Sequence, residues 1–477
     1  MNNNKNLVEK FFQYAIGSGI TLLLGFISSP LTTRLINPEN FGKFSMFTLF
    51  ANVSNLIILL GLDNSFVRYF YEETPGNRKK LLFNILKISI AACSVFSILI
   101  IIFSNFISIR LFGIFNYQIL ILMVLNNLFM LLNRYALLVV RMQQKGKLFS
   151  LLQIYQKLSN IVLIVILFIP LNKGFLTLIN ASVLSNIFVT IIAIWKEREY
   201  WDFKNIKKIE LKITNDELLK YGIPLVFTFL LTWLFQSTDR LFINYYKGST
   251  ELGVYSAAFS IIALLNALQT AFTTFWVPVA YERYKIDPND KKFFEDASQI
   301  VIVIMFLISI GLIFIKDFVV YLLGTEYRQA SFIMPFLVFM PLMYTISETT
   351  VNGINFMKKT NYHIWVALSS AIINVLGNLI LVPIYGAVGA AISTGIAYIV
   401  FFTVRTLISK NLYKLNYQLT KMYTMTLLTC VFALYASFNT FNWIFFILGS
   451  INLMTLIILY KEIIKNSIIK LKKNRIV

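Results

Sequence analysis

The sequence predicts an all-α polytopic membrane protein with about fourteen transmembrane helices, built as two parallel six-helix halves followed by two further helices. Three observations predict it. Of 477 residues, 57% are hydrophobic and 14% charged, and mean hydropathy is +0.71. Soluble cores of ordinary size cannot take up that much apolar surface. Apolar runs of about 18 residues or more recur along the whole chain, each long enough to cross roughly 30 Å of hydrocarbon. Lysine and arginine concentrate on alternate segments between those runs, the bias that sets topology. A barrel would show short alternating segments instead.

The runs fall at 11–36, 44–62, 81–104, 117–140, 148–169, 175–195, 221–246, 254–280, 298–315, 330–356, 362–382, 386–408, 422–438 and 443–460. The stretch 318–324 reads as an extension of the ninth span or an interfacial piece. Basic residues mark the N-terminus, 78–80, 141–147, 196–220, 283–292, 358–359, 405–421 and the C-terminus as inner segments. That pattern expects both termini in the cytoplasm and an even number of spans. The N-terminus runs straight into an apolar segment with no small-residue cleavage site, so the first span reads as retained. The tail KLKKNR (470–475) is expected at the inner leaflet, where anionic lipid attracts it.

Composition also excludes. A net charge of +21 would suggest nucleic acid on a soluble protein, but in a polytopic chain cationic loops account for it and no nucleic-acid partner is expected. Cys93 and Cys430 each lie inside an apolar run and imply neither a disulfide framework nor a metal site. His363 is the single histidine, which argues against histidine-based catalysis and HExxH metal sites. No P-loop, GxSxG or zinc spacing occurs, so no catalytic residue, metal or cofactor is expected beyond a coupling proton or ion. The longest polar stretch, 195–220, is cytoplasmic by this topology and too short for a soluble catalytic domain.

That stretch divides two similar halves. Tyr14, then Arg34-Leu35-Ile36-Asn37, then NFGKFS (40–45) is matched by Tyr221, then Arg240 through Asn244, then ELGVYS (251–256). RMQQKGKL (141–148), Pro170 and Gly174 are matched by FMKKTNYH (356–363), Pro383 and Gly386. Six spans per half is even, so the repeat is parallel, with its axis along the membrane normal. The expected organisation is a first half at 1–200, a cytoplasmic connector at 201–217, a second half at 218–412, and spans 13–14 with the basic tail at 413–477. Gly386, Ala390 and Thr394, with Gly389, Ser393 and Ala397, give span 12 small residues at four-residue spacing, which permits close helix approach.

STDRLFINYYKGSTELGVYSAAFS (237–260) resembles the helix 7–loop–helix 8 segment of Wzx-type polysaccharide flippases of the MOP superfamily. PLTTRLINPENFGKFSMFTL (30–49) and VPIYGAVGAAISTGIAY (382–398) resemble its front segment and its helix 11–12 turn. The resemblance covers essentially the whole chain and implies translocation of an undecaprenyl-pyrophosphate-linked oligosaccharide from the inner to the outer leaflet. It implies a bacterial plasma membrane setting, membrane lipids and a polysaccharide polymerase or export machinery as partners, and spans 13–14 shielding the lipid tail. A peptidoglycan-precursor flippase and a multidrug exporter of the same superfamily are the alternatives. Outside that class stands a membrane polysaccharide polymerase or glycosyltransferase, which the short outer loops such as PLNKG (170–174) disfavour.

Moving a diphosphate through hydrocarbon requires a wet, cationic path, and ionisable residues inside spans mark one. Lys157 lies about ten residues, roughly 14 Å, from the inner end of span 5, with Gln153, Gln156 and Asn160 beside it at helical spacing. Lining a lumen and snorkelling to the inner interface are both open to it. Arg134, about two turns from Arg141 and accompanied by Asn126, Asn127 and Asn133, has the same two readings. Glu348 sits near mid-membrane, close to the repeat counterpart of Arg134, as either a coupling acid or a pairing acid. Arg34 and Arg240, related by the repeat near the outer ends of spans 1 and 7, are either interface anchors or a cationic rim. Asp239 is a local partner candidate for Arg240 and a second candidate coupling acid, although neighbours on a helix point about 100° apart.

Overall fold

The computed structural model describes residues 2–170, 174–204, 206 and 210–473. Parts of the 170–174 loop and of the connector, and the end of the basic tail, lie outside the described residues. The chain is helical throughout the described residues. It runs through α1 (Asn2–Leu35), α2 (Pro38–Leu59), α3 (Leu62–Tyr69), α4 (Arg78–Ile102), α5 (Ser104–Phe112), α6 (Tyr117–Met142), α7 (Gly146–Phe168), α8 (Phe175–Lys196) and α9 (Arg198–Trp201). There follow α10 (Asn215–Ile286), α11 (Lys291–Phe314), α12 (Lys316–Tyr321), α13 (Ala330–Leu337), α14 (Phe339–Thr350), α15 (Asn352–Phe356), α16 (Tyr362–Leu412), α17 (Leu419–Ala436) and α18 (Trp443–Lys473). Among the described residues, eleven helical runs, one of them α13 and α14 taken together, are long and apolar enough to cross a membrane. Two of them, α10 and α16, are broken at Gly248 (φ 82°) and Gly386 (φ 58°), and each holds two of the expected spans. With α1, every expected span lies on helix.

The span expected at 330–356 is three short helices rather than one. Pro341 cannot donate to the carbonyl of Leu337, and the helix restarts at Phe339. The stretch 316–321 is a separate short helix that continues from the ninth span.

The chain forms two compact units, Met1–Ser237 and Thr238–Val477. The boundary falls inside α10, so residues 218–237, which the repeat assigns to the second half, pack with the first unit. In that unit α1 packs on α7, α7 and α6 both pack on α8, and α2 and α4 pack on α6. One apolar core gathers Leu62, Phe66, Phe70, Ile85, Tyr135 and Leu218; a second joins Phe47, Ile119, Met123, Phe175 and Ile179. The start of α10 crosses α3 at glycine on glycine. A Cβ on Gly61 would lie 2.1 Å from the carbonyl oxygen of Gly222, so nothing larger fits there.

In the second unit α14 packs against α11 and α16, and α18 against α11 and α17. The expected close approach at span 12 is present: a Cβ on Gly389 would meet the Leu381 carbonyl at 2.3 Å, and one on Gly377 would meet Ser393 Oγ at 2.3 Å. Outside the spans, Asp290 caps α11 by accepting from the Phe293 backbone N–H, and Arg283 beside it holds its carboxyl below the usual range.

The repeat read from the sequence recurs as one contact made twice. Asn40 accepts from the backbone N–H of Phe175 (3.0 Å), the first residue of α8 after Gly174. Its counterpart Glu251 accepts from the backbone N–H of Ala387 (2.8 Å), the first residue after Gly386. Each is a side-chain cap, supplied from afar, on a helix start whose N–H groups have no helical partner. A Cβ on Gly386 would lie 1.9 Å from the Glu251 carboxylate, and its φ of +58° is strained for any other residue. Glu251→Gln keeps an acceptor, as Asn40 does, and should leave the melting temperature in detergent near wild type. Glu251→Ala should lower stability by about 1 kcal/mol. Gly386→Ala should cost about 1–3 kcal/mol. Fluorescence-detected thermal unfolding of the three purified variants checks the order.

Candidate functional site

The first unit holds one polar seam. Asn126 and Asn133 on α6 are buried, and Asn186 on α8 stands between α6 and α7. Gln156 on α7 donates to Asn186 Oδ1 (2.5 Å), Asn186 donates to Asn126 Oδ1 (3.5 Å), and Asn133 donates to the Asn186 carbonyl oxygen (3.5 Å). The seam therefore joins the immediate neighbours of Lys157 and Arg134, two residues the sequence singled out separately. Lys157 lies three turns into α7, half-buried, with its stem against α1: a Cβ on Gly25 would sit 3.7 Å from Lys157 Cε. No hydrogen bond or ion pair reaches its ammonium among the described residues. Gln153 and Asn160 are half-buried on the same helix.

Arg134 does have a partner, one the sequence reading missed. Its Nε and a terminal nitrogen both donate to Asp63 Oδ2, at 3.0 and 2.7 Å. Asp63 is buried while the Arg134 side chain is 48% exposed, so the pair presents its cationic end. It lines a cavity of about 200 Å³ with Leu56, Leu59, Gly61 and Asn64. The signal was an acid just past an apolar run. Its reach back to α6 depends on the left-handed turn at Leu60 and Gly61, which only the fold reveals. Arg34 is exposed at the end of α1.

In the second unit Asp239 and Arg240 part company. Arg240 lies over the ring of Phe259, 4.8 Å from its centroid. Asp239 is buried and accepts four side-chain hydrogen bonds: from the Tyr255 hydroxyl (2.7 Å), Asn374 (3.1 Å), Asn378 (2.8 Å) and Thr394. Asn374 and Asn378 are one turn apart on the first arm of α16, and Thr394 is on its second arm. The carboxylate thus ties α10 to both arms of α16. Asn378 Oδ1 is buried with no hydrogen-bond partner. The two asparagines turn their amide nitrogens to the carboxylate, which leaves Asn378 Oδ1 as an acceptor for a proton donor or a small cation.

Glu348 is a pairing acid. Arg405 of α16 donates to Glu348 Oε1 (2.8 Å) and to Ser347 Oγ (2.6 Å), and both charges are buried. The sequence reading placed Arg405 at an inner segment as a topology charge. It lies inside α16, stacked near Tyr344 and Phe401, and points to the core. Removing one partner of a buried pair strands the other charge. Glu348→Ala should therefore cost about 3–5 kcal/mol, while Glu348→Leu with Arg405→Leu should recover most of it. Thermal unfolding of the single and double variants measures this; a double variant no better than the single would refute the coupling.

Residues 7–284 match the family described as "Polysaccharide biosynthesis protein". Protein 1 of the Lsg locus of Haemophilus influenzae is 22% identical over 275 residues, a stretch that covers 57% of this chain and 65% of that relative. Among solved structures, the lipid II flippase MurJ in an inward closed conformation superposes with a TM-score of 0.71 at 16% identity, over 94% of this chain and 99% of MurJ. An inward-facing multidrug resistance MATE family transporter of the MOP superfamily superposes with a TM-score of 0.59 at 16% identity, over 84% and 96%. These likenesses give the fold, and the family match spans more than half of the chain. The chain belongs to the polysaccharide biosynthesis protein family, on the polytopic fold of the MOP flippases and transporters.

Proposed function

We propose that this protein translocates an undecaprenyl-pyrophosphate-linked oligosaccharide from the inner to the outer leaflet of a bacterial plasma membrane, by alternating access and with both termini cytoplasmic. The observation that carries the reading is Lys157: an ammonium three turns into a spanning helix, next in sequence to the amide seam, with no acid paired to it among the described residues. A cation in that position is costly unless it faces water or an anion, and the diphosphate of a lipid-linked sugar is such an anion. The exposed guanidinium of Arg134 and the exposed Arg34 add positive charge to the same unit. Arg240 is the matching residue of the second.

Coupling is assigned to Asp239. Protonation, or entry of a small cation beside Asn378 Oδ1, would rearrange the hydrogen bonds that hold the two arms of α16 to α10. A second reading, a flippase for a peptidoglycan precursor, draws support from the likeness to MurJ along nearly the full length of both chains.

A strain lacking the protein but still making its glycan decides between them. Mass spectrometry of the extracted lipids, with a leaflet-accessibility assay, should find one undecaprenyl-pyrophosphate glycan repeat trapped on the cytoplasmic side. A trapped peptidoglycan precursor would favour the second reading, and trapping on the outer leaflet would point to a later step such as polymerisation. Lys157→Ala should reach the membrane folded and complement poorly, with transport lowered about tenfold or more, the effect of losing one charge-assisted contact. Full transport by Lys157→Ala would remove it from the site. Asp239→Ala should abolish the dependence of transport on an imposed proton or sodium gradient; a variant that still follows the gradient would place coupling elsewhere.

A further inference from the structure

Beyond its break, α10 carries a stripe of uncharged polar residues. Asn266, Gln269, Thr270, Thr273 and Thr274 recur three and four residues apart, so they share one face of the helix. Measured from Arg283 at the inner end, the stripe lies roughly 14 to 26 Å along the helix, well within the hydrocarbon. Gln269, Thr270, Thr273 and Thr274 line a cavity of about 520 Å³, closed on another side by Tyr344 of α14.

A stripe that merely packed helices together would have its polar atoms paired. This one does not. Asn266 Oδ1 and Thr273 Oγ1 are buried with no hydrogen-bond partner. Among the described residues the Gln269 amide makes no hydrogen bond either. The Thr270 and Thr274 hydroxyls donate to the carbonyl oxygens of Asn266 (2.9 Å) and Thr270 (2.8 Å), which leaves their own oxygens free to accept. Such a surface suits neither a lipid chain nor a phosphate. Hydrocarbon would leave its polar atoms unsatisfied, and among the described residues no cation lines the cavity. Arg405, 5.7 Å from the Tyr344 ring, is already committed to Glu348. What it fits is a neutral, hydroxyl-rich ligand whose hydroxyls both donate and accept. The Tyr344 ring, held by stacking on Phe401 at 5.6 Å, offers the flat apolar face that the C–H side of a sugar ring covers.

We infer that this stripe is a subsite for the uncharged sugar rings of the transported lipid, distinct from Lys157, which the proposed function assigns to the diphosphate. The inference rests on the flippase reading. Its test uses the full-length protein in proteoliposomes. Two lipids are supplied: the undecaprenyl-pyrophosphate glycan extracted from a strain lacking the protein, and the same lipid trimmed by glycosidases to its first sugar. Translocation is followed by accessibility to membrane-impermeant periodate. Gln269→Leu with Thr273→Val, which keep size and remove hydrogen bonding, should slow the full glycan about tenfold and the trimmed lipid by less than twofold. Lys157→Ala should slow both lipids alike, and Thr424→Val, on α17, neither. Equal rates for variant and wild type, or equal slowing of both lipids by the double variant, would overturn the subsite while leaving the flippase reading intact. A wild-type protein that moves neither lipid would overturn the flippase reading, and the subsite with it. Thermal unfolding of each variant precedes the assay. If the double variant fails to fold, the isosteric Thr273→Val alone should still slow the full glycan more than the trimmed lipid, and equal effects would overturn the proposal.

Discussion

A charge inside hydrocarbon must be matched by the protein, by water or by a ligand, and the interior of this molecule is organised by that demand. Asp239 is matched by four donors, Glu348 by Arg405 and Asp63 by Arg134. Each match fixes a junction between helices. Asp239 holds both arms of α16 on α10, Glu348 locks α14 to α16, and Asp63 draws α3 onto α6. Hydrophobic burial alone would not choose among the ways such greasy helices can pack, because lipid tails are as apolar as leucine. The ionic junctions supply the choice. Among the described residues the Lys157 ammonium has no such match, and the proposed function assigns it to a ligand outside the chain.

Duplication explains where two of the helix caps fall. The two caps on α8 and on the second arm of α16 come from repeat-related residues, Asn40 and Glu251. Glu348 lies near the repeat counterpart of Arg134, and both are ion-paired, with the signs exchanged. Once a position must carry a paired charge, either polarity serves the packing. The two pairs are not copies of one another: Asp63 follows the second span, whereas Arg405 lies on the twelfth, the counterpart of the sixth.

Length and apolarity made the spans legible, since a helix that crosses lipid must satisfy its backbone internally and can be read by composition alone. Lys157, Arg134 and Glu348 were legible for the same reason, as charges where none is expected. Their partners were not. Asp63 meets Arg134 across 71 residues of sequence, after a left-handed turn that apolarity does not encode. Arg405 was hidden among basic residues that normally report topology. Asn374 and Asn378, one turn apart in an apolar run, look like ordinary helix packing until Asp239 is placed opposite them. The adjacency of Asp239 and Arg240 misled in the other direction. Neighbours on a helix diverge by about 100°, so the acid turned into α16 and the guanidinium onto Phe259.

A transporter must hold its cargo well enough to admit it and loosely enough to let it go. A diphosphate held by free cations from both halves would gain a deep well in which to stay. Here the free ammonium belongs to the first unit, whereas Asp239, Glu348 and the neutral stripe belong to the second. Within the second unit Glu348 occupies Arg405, and Arg240 rests on an aromatic ring. Hydrogen bonds to sugar hydroxyls exchange readily with water, and their net worth is about 1 kcal/mol each. Orientation can come from many weak contacts and attraction from one strong one. On the proposed flippase reading, that division would let a charged lipid be recognised along its length without being trapped at its head.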